Sequence, residues 1–247
     1  MQKMFEIGLL SSEYIDDFRY NTLKPIINDD RFKISVIIID KRKPLSIKQK
    51  IMKNFKRGRG GYMLIMLFKK KFHSKREKYH IQSILPNVKV YETDNPYSID
   101  FINKLKVHHL DVLLLMGGFG IVKKSMLTVS KIGVLSYHHG NMRKYRGMPP
   151  VFWEMYNNEK ELSATIQVLS EGLDAGKPVE EISIPVIEKS YKKSLTTLYT
   201  LSEPMLYNAL CKLYTGYMPI ELKELGKVYT LPNLRQWLVF YIKLIFR

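Results

Sequence analysis

"DVLLLMGGFGIVKKSMLTVSKIGVLSYHHG", Asp111 to Gly140, is the stretch on which the fold turns. It holds two apolar runs, "DVLLLMGG" (111–118) and "IGVLSYH" (132–138), with little polar alternation. A strand wet on one face alternates apolar and polar residues, so continuously apolar strands point to a sheet covered on both faces. Upstream, "MFEIGLL" (4–10), "FKISVIIID" (32–40), "YMLIMLF" (62–68) and "VKVYET" (88–93) read as further strands. Three stretches among them read as helices. These are "EYIDDFRYNTLKPIIN" (13–28), interrupted near Pro25; "LSIKQKIMKNFKR" (45–57), ended by Gly58, Gly60 and Gly61; and "SIDFINKLKVHHL" (98–110). Strands alternating with helices imply an α/β, Rossmann-like domain, a mostly parallel twisted sheet flanked by helices. Ligands in such sheets bind beyond the carboxyl ends of the strands, which is where Gly117–Gly118 and Ser136–Gly140 fall.

After Pro150 the pattern changes. "VFWEMYNNEK" (151–160) reads as a helix. "SATIQVLSE" (163–171) and "VEEISIPV" (179–186) read as antiparallel strands joined through "GLDAGKP", and "SLTTLYTLSEPMLYNALCKLYTG" (194–216) as mostly helical. The expected division is a domain over 1–190 and a short helical C-terminal extension over 191–247.

Composition sets the bounds. The 247 residues suit one domain with a small appendage, and 45% apolar content suffices for a core. One cysteine, Cys211, excludes an internal disulfide framework and favours a reducing, cytoplasmic address. No signal peptide is evident, and no run reaches the roughly 18 apolar residues of a membrane span. The net charge of +17 favours anionic partners such as nucleotides, phosphates, RNA or an acidic membrane face; the plain alternative is solubility. The basic run "KKKFHSKREKYH" (69–80) is read as a solvated helix face. Trp153 is read as a core residue.

Two features carry chemistry: the adjacent His138 and His139, and Asp174 in the turn "SEGLDAGKP". An imidazole can take a proton from an attacking amine, and a carboxylate can orient that imidazole. These blocks resemble the folate-dependent formyltransferase family, whose signature Asn-x-His-Pro-Ser-Leu-Leu-Pro-x-x-x-Gly is met here by "SYHHGNMRKYRG" and whose Leu-Asp-x-Gly block is met by "LDAGKPV". "DVLLLMGGFGIV" (111–122) is similar to the strand that borders the family's folate pocket, and the resemblance is firmest over 88–186.

The resemblance implies a Rossmann-like formyltransferase fold and amide formation with N10-formyltetrahydrofolate as donor. His138 would act as base or as a charged partner for the tetrahedral oxyanion, and Asp174 would orient it. Met116, Gly117, Gly118 and Leu173 would meet the folate; Ser11, Ser12, His139, Asn141 and Arg146 are the candidate substrate contacts; no metal is implied. One position departs: where the family has its third catalytic residue, an asparagine, this chain has Ser136. Loss of an oxyanion donor costs on the order of a hundredfold in rate. His139, Asn141 or an ordered water are candidate replacements, and His139, which takes the family's proline position, is otherwise a surface or turn residue. Arg146 is weighed as an anion contact against a structural ion pair, and the structural role is preferred.

Three branches of the family differ in acceptor. The purine-pathway branch carries a Gly- and Ser-rich phosphate loop after the first strand, and "GLLSSEYIDDF" keeps only Gly8 of it. The methionyl-tRNA branch carries a C-terminal RNA-binding β domain, whereas the residues after Pro185 begin as helix. By elimination the nucleotide-sugar branch fits best, with a nucleotide-linked amino sugar as acceptor, a role in surface polysaccharide, no DNA partner and RNA disfavoured. A non-catalytic folate or nucleotide binder, or a hydrolase-like homologue, stays open because of Ser136. The resemblance also allows a homodimer. The tail "LRQWLVFYIKLIFR" could touch a membrane face, but burial at a domain or subunit contact is preferred.

Overall fold

In the computed structural model, residues 4–43, 46–56, 77–187 and 189–246 are described. The expected strand 62–68, the glycines at 58, 60 and 61, and residues 69–76 of the basic run lie outside them; Lys78–His80 of that run form a short strand, not a helix face. In chain order the strands are β1 (Phe5–Ser11), β2 (Tyr14–Asp16), β3 (Phe32–Asp40), β4 (Lys78–His80), β5 (Lys89–Thr93), β6 (Val112–Leu115), β7 (Val134–His138), β8 (Tyr145–Gly147), β9 (Glu161–Val168), β10 (Lys177–Pro185) and β11 (Lys227–Tyr229). The helices are α1 (Asp17–Ile27), α2 (Ile47–Lys56), α3 (Ile81–Ile84), α4 (Ile99–Lys106), α5 (Lys124–Leu127), α6 (Phe152–Tyr156), α7 (Tyr191–Ser202), α8 (Met205–Tyr214) and α9 (Leu234–Ile245).

Seven strands form one sheet in the order β10-β9-β7-β6-β1-β3-β5. The five strands from β5 to β7 are parallel, and β9 and β10 add antiparallel pairs at one edge. Alternation along each strand explains the continuous apolar runs. Ile7, Leu9, Ile37, Ile39, Val112 and Leu114 pack on one face with Leu23 and Ile26 of α1 and Leu206 and Leu210 of α8. Leu10, Val36, Ile38 and Leu113 pack on the other with Ile102 and Leu105 of α4 and Met126 of α5.

Pro25 does not interrupt α1. It sits in the last turn, where its missing N–H forfeits one bond, and the helix closes at Asn28 through an N–H bond to the Lys24 carbonyl. The helical reading of 194–216 resolves into α7 and α8, which part at Glu203–Pro204 and end before Gly216 at φ +91°.

The tail folds back on the chain. β11 pairs in parallel with β8, and Asn233 and Gln236 cap α9 reciprocally. Trp237 and Phe240 are each 1% exposed and lie 4.4 and 4.6 Å, ring centre to ring centre, from Phe152. The helix is therefore amphipathic: Leu238, Tyr241, Ile242 and Ile245 face outward. Among the described residues no helix is long and apolar enough to cross a membrane.

If α9 belongs to the core, Trp237→Ala is expected to cost about 3–5 kcal/mol of unfolding free energy in a urea titration, and Leu238→Ala, one residue on, within about 0.5 kcal/mol of nothing. Equal small effects would mean that the helix is peripheral.

Candidate active site

His138 closes β7, and its ring is 6% exposed. Ser136 and His138 thus lie within the strand, not past its end as the sequence suggested. Nδ1 lies 3.3 Å from Asp174 Oδ2, and Nε2 lies 2.8 Å from the Tyr145 carbonyl. One ring nitrogen faces a carboxylate and the other a main-chain carbonyl, and the two together fix the ring's orientation.

Asp174 sits in the turn between β9 and β10, at φ +44°. Its Oδ2 also accepts the Gly147 N–H at 2.8 Å, and its Oδ1 accepts Gln167 Nε2 at 3.3 Å. Gln167 is fully buried in β9, and its Oε1 accepts the Gly176 N–H at 2.9 Å. One amide thus ties both sides of the turn to the sheet. Gly147 has φ +92°, and a Cβ there would stand 2.0 Å from the Tyr229 carbonyl oxygen. Only glycine allows β11 to pair on β8 while the Gly147 N–H serves Asp174.

A cavity of about 380 Å³ opens at the carboxyl ends of β6 and β7. The start of α1 contributes Asp16, Phe18 and Arg19; the β6 end contributes Leu115, Met116, Gly117 and Gly120; β7 and its exit contribute Ser136, Tyr137 and His139; α7 contributes Tyr199. Ser136 shares a strand face with His138 and lines the cavity, whereas His138 and Asp174 are not themselves among its lining residues. Its hydroxyl donates to the Tyr137 carbonyl at 3.3 Å.

His139, expected as a surface or turn residue, is half-buried just past the end of β7. Its ring stacks on Tyr199 at 4.1 Å and on Tyr137 at 5.4 Å, with Phe18 edge-on at 5.6 Å. Nε2 lies 3.0 Å from Ser202 Oγ. Burial first, then the nearby His138 and the Arg19 guanidinium, push its pKa down to about 3.

The other expected contacts divide. Met116 and Gly117 line the cavity, whereas Gly118 packs behind it, where a Cβ would come 3.2 Å from the Ser12 nitrogen. Leu173, 45% exposed, lies outside the cavity lining, next to Asp174. Ser11 is buried and donates to the Ser12 carbonyl, and Ser12 donates to the Tyr14 carbonyl, so both hydroxyls are used by the main chain. Asn141 accepts the Arg143 N–H in a local turn. Arg146 donates to the carbonyls of Gly226 at 2.7 Å and Leu173 at 3.3 Å, a structural tie with no carboxylate in it. Trp153 is 8% exposed and donates to the carbonyls of Met148 and Thr230. The sequence reading missed Asp16, Phe18, Arg19 and Tyr199, which no motif marks and which only the folded chain brings to the cavity. Asp16 caps α1 and pairs with Arg19 at 2.8 Å. Among the described residues no cluster of His, Cys, Asp or Glu could hold a metal ion.

The depressed His139 value has a stability consequence. Between pH 6.5 and 3 the unfolded chain binds a proton at this residue that the folded chain does not, so acid removes stability. Relative to His139→Phe, the wild type is expected to lose on the order of 2 kcal/mol of unfolding free energy between pH 7 and pH 4.5 in urea titrations. Parallel pH curves for the two proteins would refute the neutral ring.

Comparison with known proteins places this geometry. The sequence model of the formyl transferase family matches residues 33–209. A methionyl-tRNA formyltransferase of Caldanaerobacter subterraneus subsp. tengcongensis is 29% identical over 143 residues, covering 52% of this chain and 46% of that protein. The chain spans about a third to a half of the length of most curated relatives it matches. In fold it resembles glycinamide ribonucleotide transformylase 1 of Symbiobacterium toebii, with TM-score 0.60, 15% identity, and coverage of 92% of this chain and 95% of that one. It also resembles an N-formyltransferase of Helicobacter canadensis solved with folinic acid and dTDP-3-aminofucose, with TM-score 0.58, 13% identity, and coverage of 92% and 71%. With the family's sequence model spanning most of its length and its histidine and aspartate meeting at the sheet edge, the chain belongs to the formyl transferase family.

Proposed function

We propose that the protein moves a formyl group from N10-formyltetrahydrofolate to the amine of a nucleotide-linked amino sugar. The observation that carries this reading is the His138–Asp174 pair, 3.3 Å apart, at the end of the strand whose Ser136 lines a cavity at the carboxyl edge of the sheet.

The donor would supply a formyl group activated on nitrogen. The residues at the β6 end fit a flat, partly apolar ring: Leu115 and Met116 give an apolar wall, and Gly117, at φ +130° with no Cβ, leaves its peptide open to close approach. Met116 and Gly117 would hold the ring, with Gly118 behind them and Leu173 beyond Asp174. The chain's own part is to orient the amine, move its proton and stabilise negative charge on the formyl oxygen. His138 handles the proton, and Asp174, fixed by Gly147 and Gln167, keeps the ring in place and balances its charge. Ser136 would turn its hydroxyl from the Tyr137 carbonyl toward the developing charge, with a shorter reach than an amide side chain has.

Several features support an amino sugar. The start of α1 carries Asp16 at its cap and Asp17 in its first turn, a negative end that disfavours a phosphate there. Phe18, Tyr137, His139 and Tyr199 form an aromatic wall that suits a sugar ring. The charge of +17 favours a nucleotide diphosphate.

The test is product mass spectrometry with N10-formyltetrahydrofolate and a panel of dTDP- and UDP-linked amino sugars, with glycinamide ribonucleotide and initiator methionyl-tRNA as competing arms. A formylated nucleotide sugar is the expected product. Transfer to another arm, formate release without any acceptor, or folate binding with no turnover would each overturn the assignment. In the active pair, Asp174→Asn is expected to lower kcat by about two to four orders of magnitude. Ser136→Asn is expected to raise kcat about tenfold or more, because it lengthens the donor at the oxyanion position.

A further inference from the structure

Among the polar groups that line the cavity is an imidazole that the proton-transfer pair does not use, that of His139. Tyr199 and Tyr137 stack on it at 4.1 and 5.4 Å, and Ser202 occupies the Nε2 corner. The Ser202 hydroxyl has one proton, and it is given to the Tyr199 carbonyl at 2.9 Å. With its proton so placed its oxygen is left to accept, and the tautomer that matches this network carries the proton on His139 Nε2 and a lone pair on Nδ1. Among the described residues no hydrogen bond is made to Nδ1. The ring lines the cavity, and its Nε2 corner is taken by Ser202.

We propose, building on the formyl-transfer reading, that His139 is an acceptor-reading residue whose Nδ1 takes a hydrogen bond from an N–H of the incoming amine. Such a bond orients the amine while leaving its lone pair free to attack. The ring resists protonation, so it remains an acceptor at neutral pH. It is an orienting contact, not the base: the carboxylate that could balance an imidazolium lies beside His138.

Two isosteric substitutions separate this role from packing. The Asn side chain puts an oxygen close to the place of Nδ1, and the Gln side chain puts its terminal atoms close to the place of Nε2. His139→Asn is expected to keep the acceptor KM within ~3-fold of wild type, whereas His139→Gln raises it about tenfold or more with kcat changed less. The reverse order, with Gln like wild type and Asn impaired, would mean that the ring serves only Ser202 and the stack, and would overturn the proposal. Histidine 15N NMR gives a readout independent of turnover. Wild type is expected to show unprotonated Nδ1, shifting when the amino sugar binds, and Ser202→Ala a mixture of tautomers. A protonated Nδ1 in wild type overturns the inference alone. A wild-type protein that transfers to no amine overturns the formyl-transfer reading and this one with it.

Discussion

The site depends on how one carboxylate is held. Asp174 stands on a turn at positive φ, and what fixes it there is the buried amide of Gln167, which donates to Asp174 and accepts from Gly176. A buried polar side chain with both ends satisfied is rigid, and one with an end unmade is costly. The second anchor is the Gly147 N–H, whose own position is set by the pairing of β11 on β8. The tail is therefore part of the scaffold of the site. Arg146 strengthens the same link by reaching the Gly226 carbonyl on the tail and the Leu173 carbonyl in the Asp174 turn.

This arrangement accounts for the local sequence between Tyr145 and Pro150. Tyr145 offers its carbonyl to His138, Arg146 ties the tail to the turn, and Gly147 makes room for Tyr229. The chain then passes the cis Met148–Pro149 bond and enters α6, whose Phe152 is the surface on which Trp237 and Phe240 rest. The segment meets His138, Asp174 and the C-terminal helix within a few residues.

The parts of this plan that repeat along the chain were legible in the sequence. The parallel strands were visible because both faces are buried and each run is apolar throughout. His138 and Asp174 were visible because residue type and interval matched a family pattern, and the Ser136 departure was visible for the same reason. The cavity wall was not. Arg19 and Tyr199 lie on separate helices and meet only through packing of α1 and α7 about β7. Ser11 and Ser12 look like an anion site in sequence, but a short hydroxyl beside a peptide group bonds the main chain first. The strand β11 has three residues, too few for a periodic signal, and its partner β8 lies far away in sequence.

The adjacent histidines show how much a pleat can separate. Successive side chains of a strand point to opposite faces, so neighbours in sequence can enter different environments. His138 turns toward a carboxylate and a carbonyl, and His139 turns into a stack of tyrosines with a hydroxyl at one corner. Two charged imidazoles this close would repel, and the stack removes that conflict by keeping one of them neutral. One ring is then suited to moving a proton, and the other to receiving a hydrogen bond without taking the proton. Under the proposed formyl transfer the two rings would act separately, residue 138 on the proton and residue 139 on the hydrogen bond, from adjacent positions at the end of one strand.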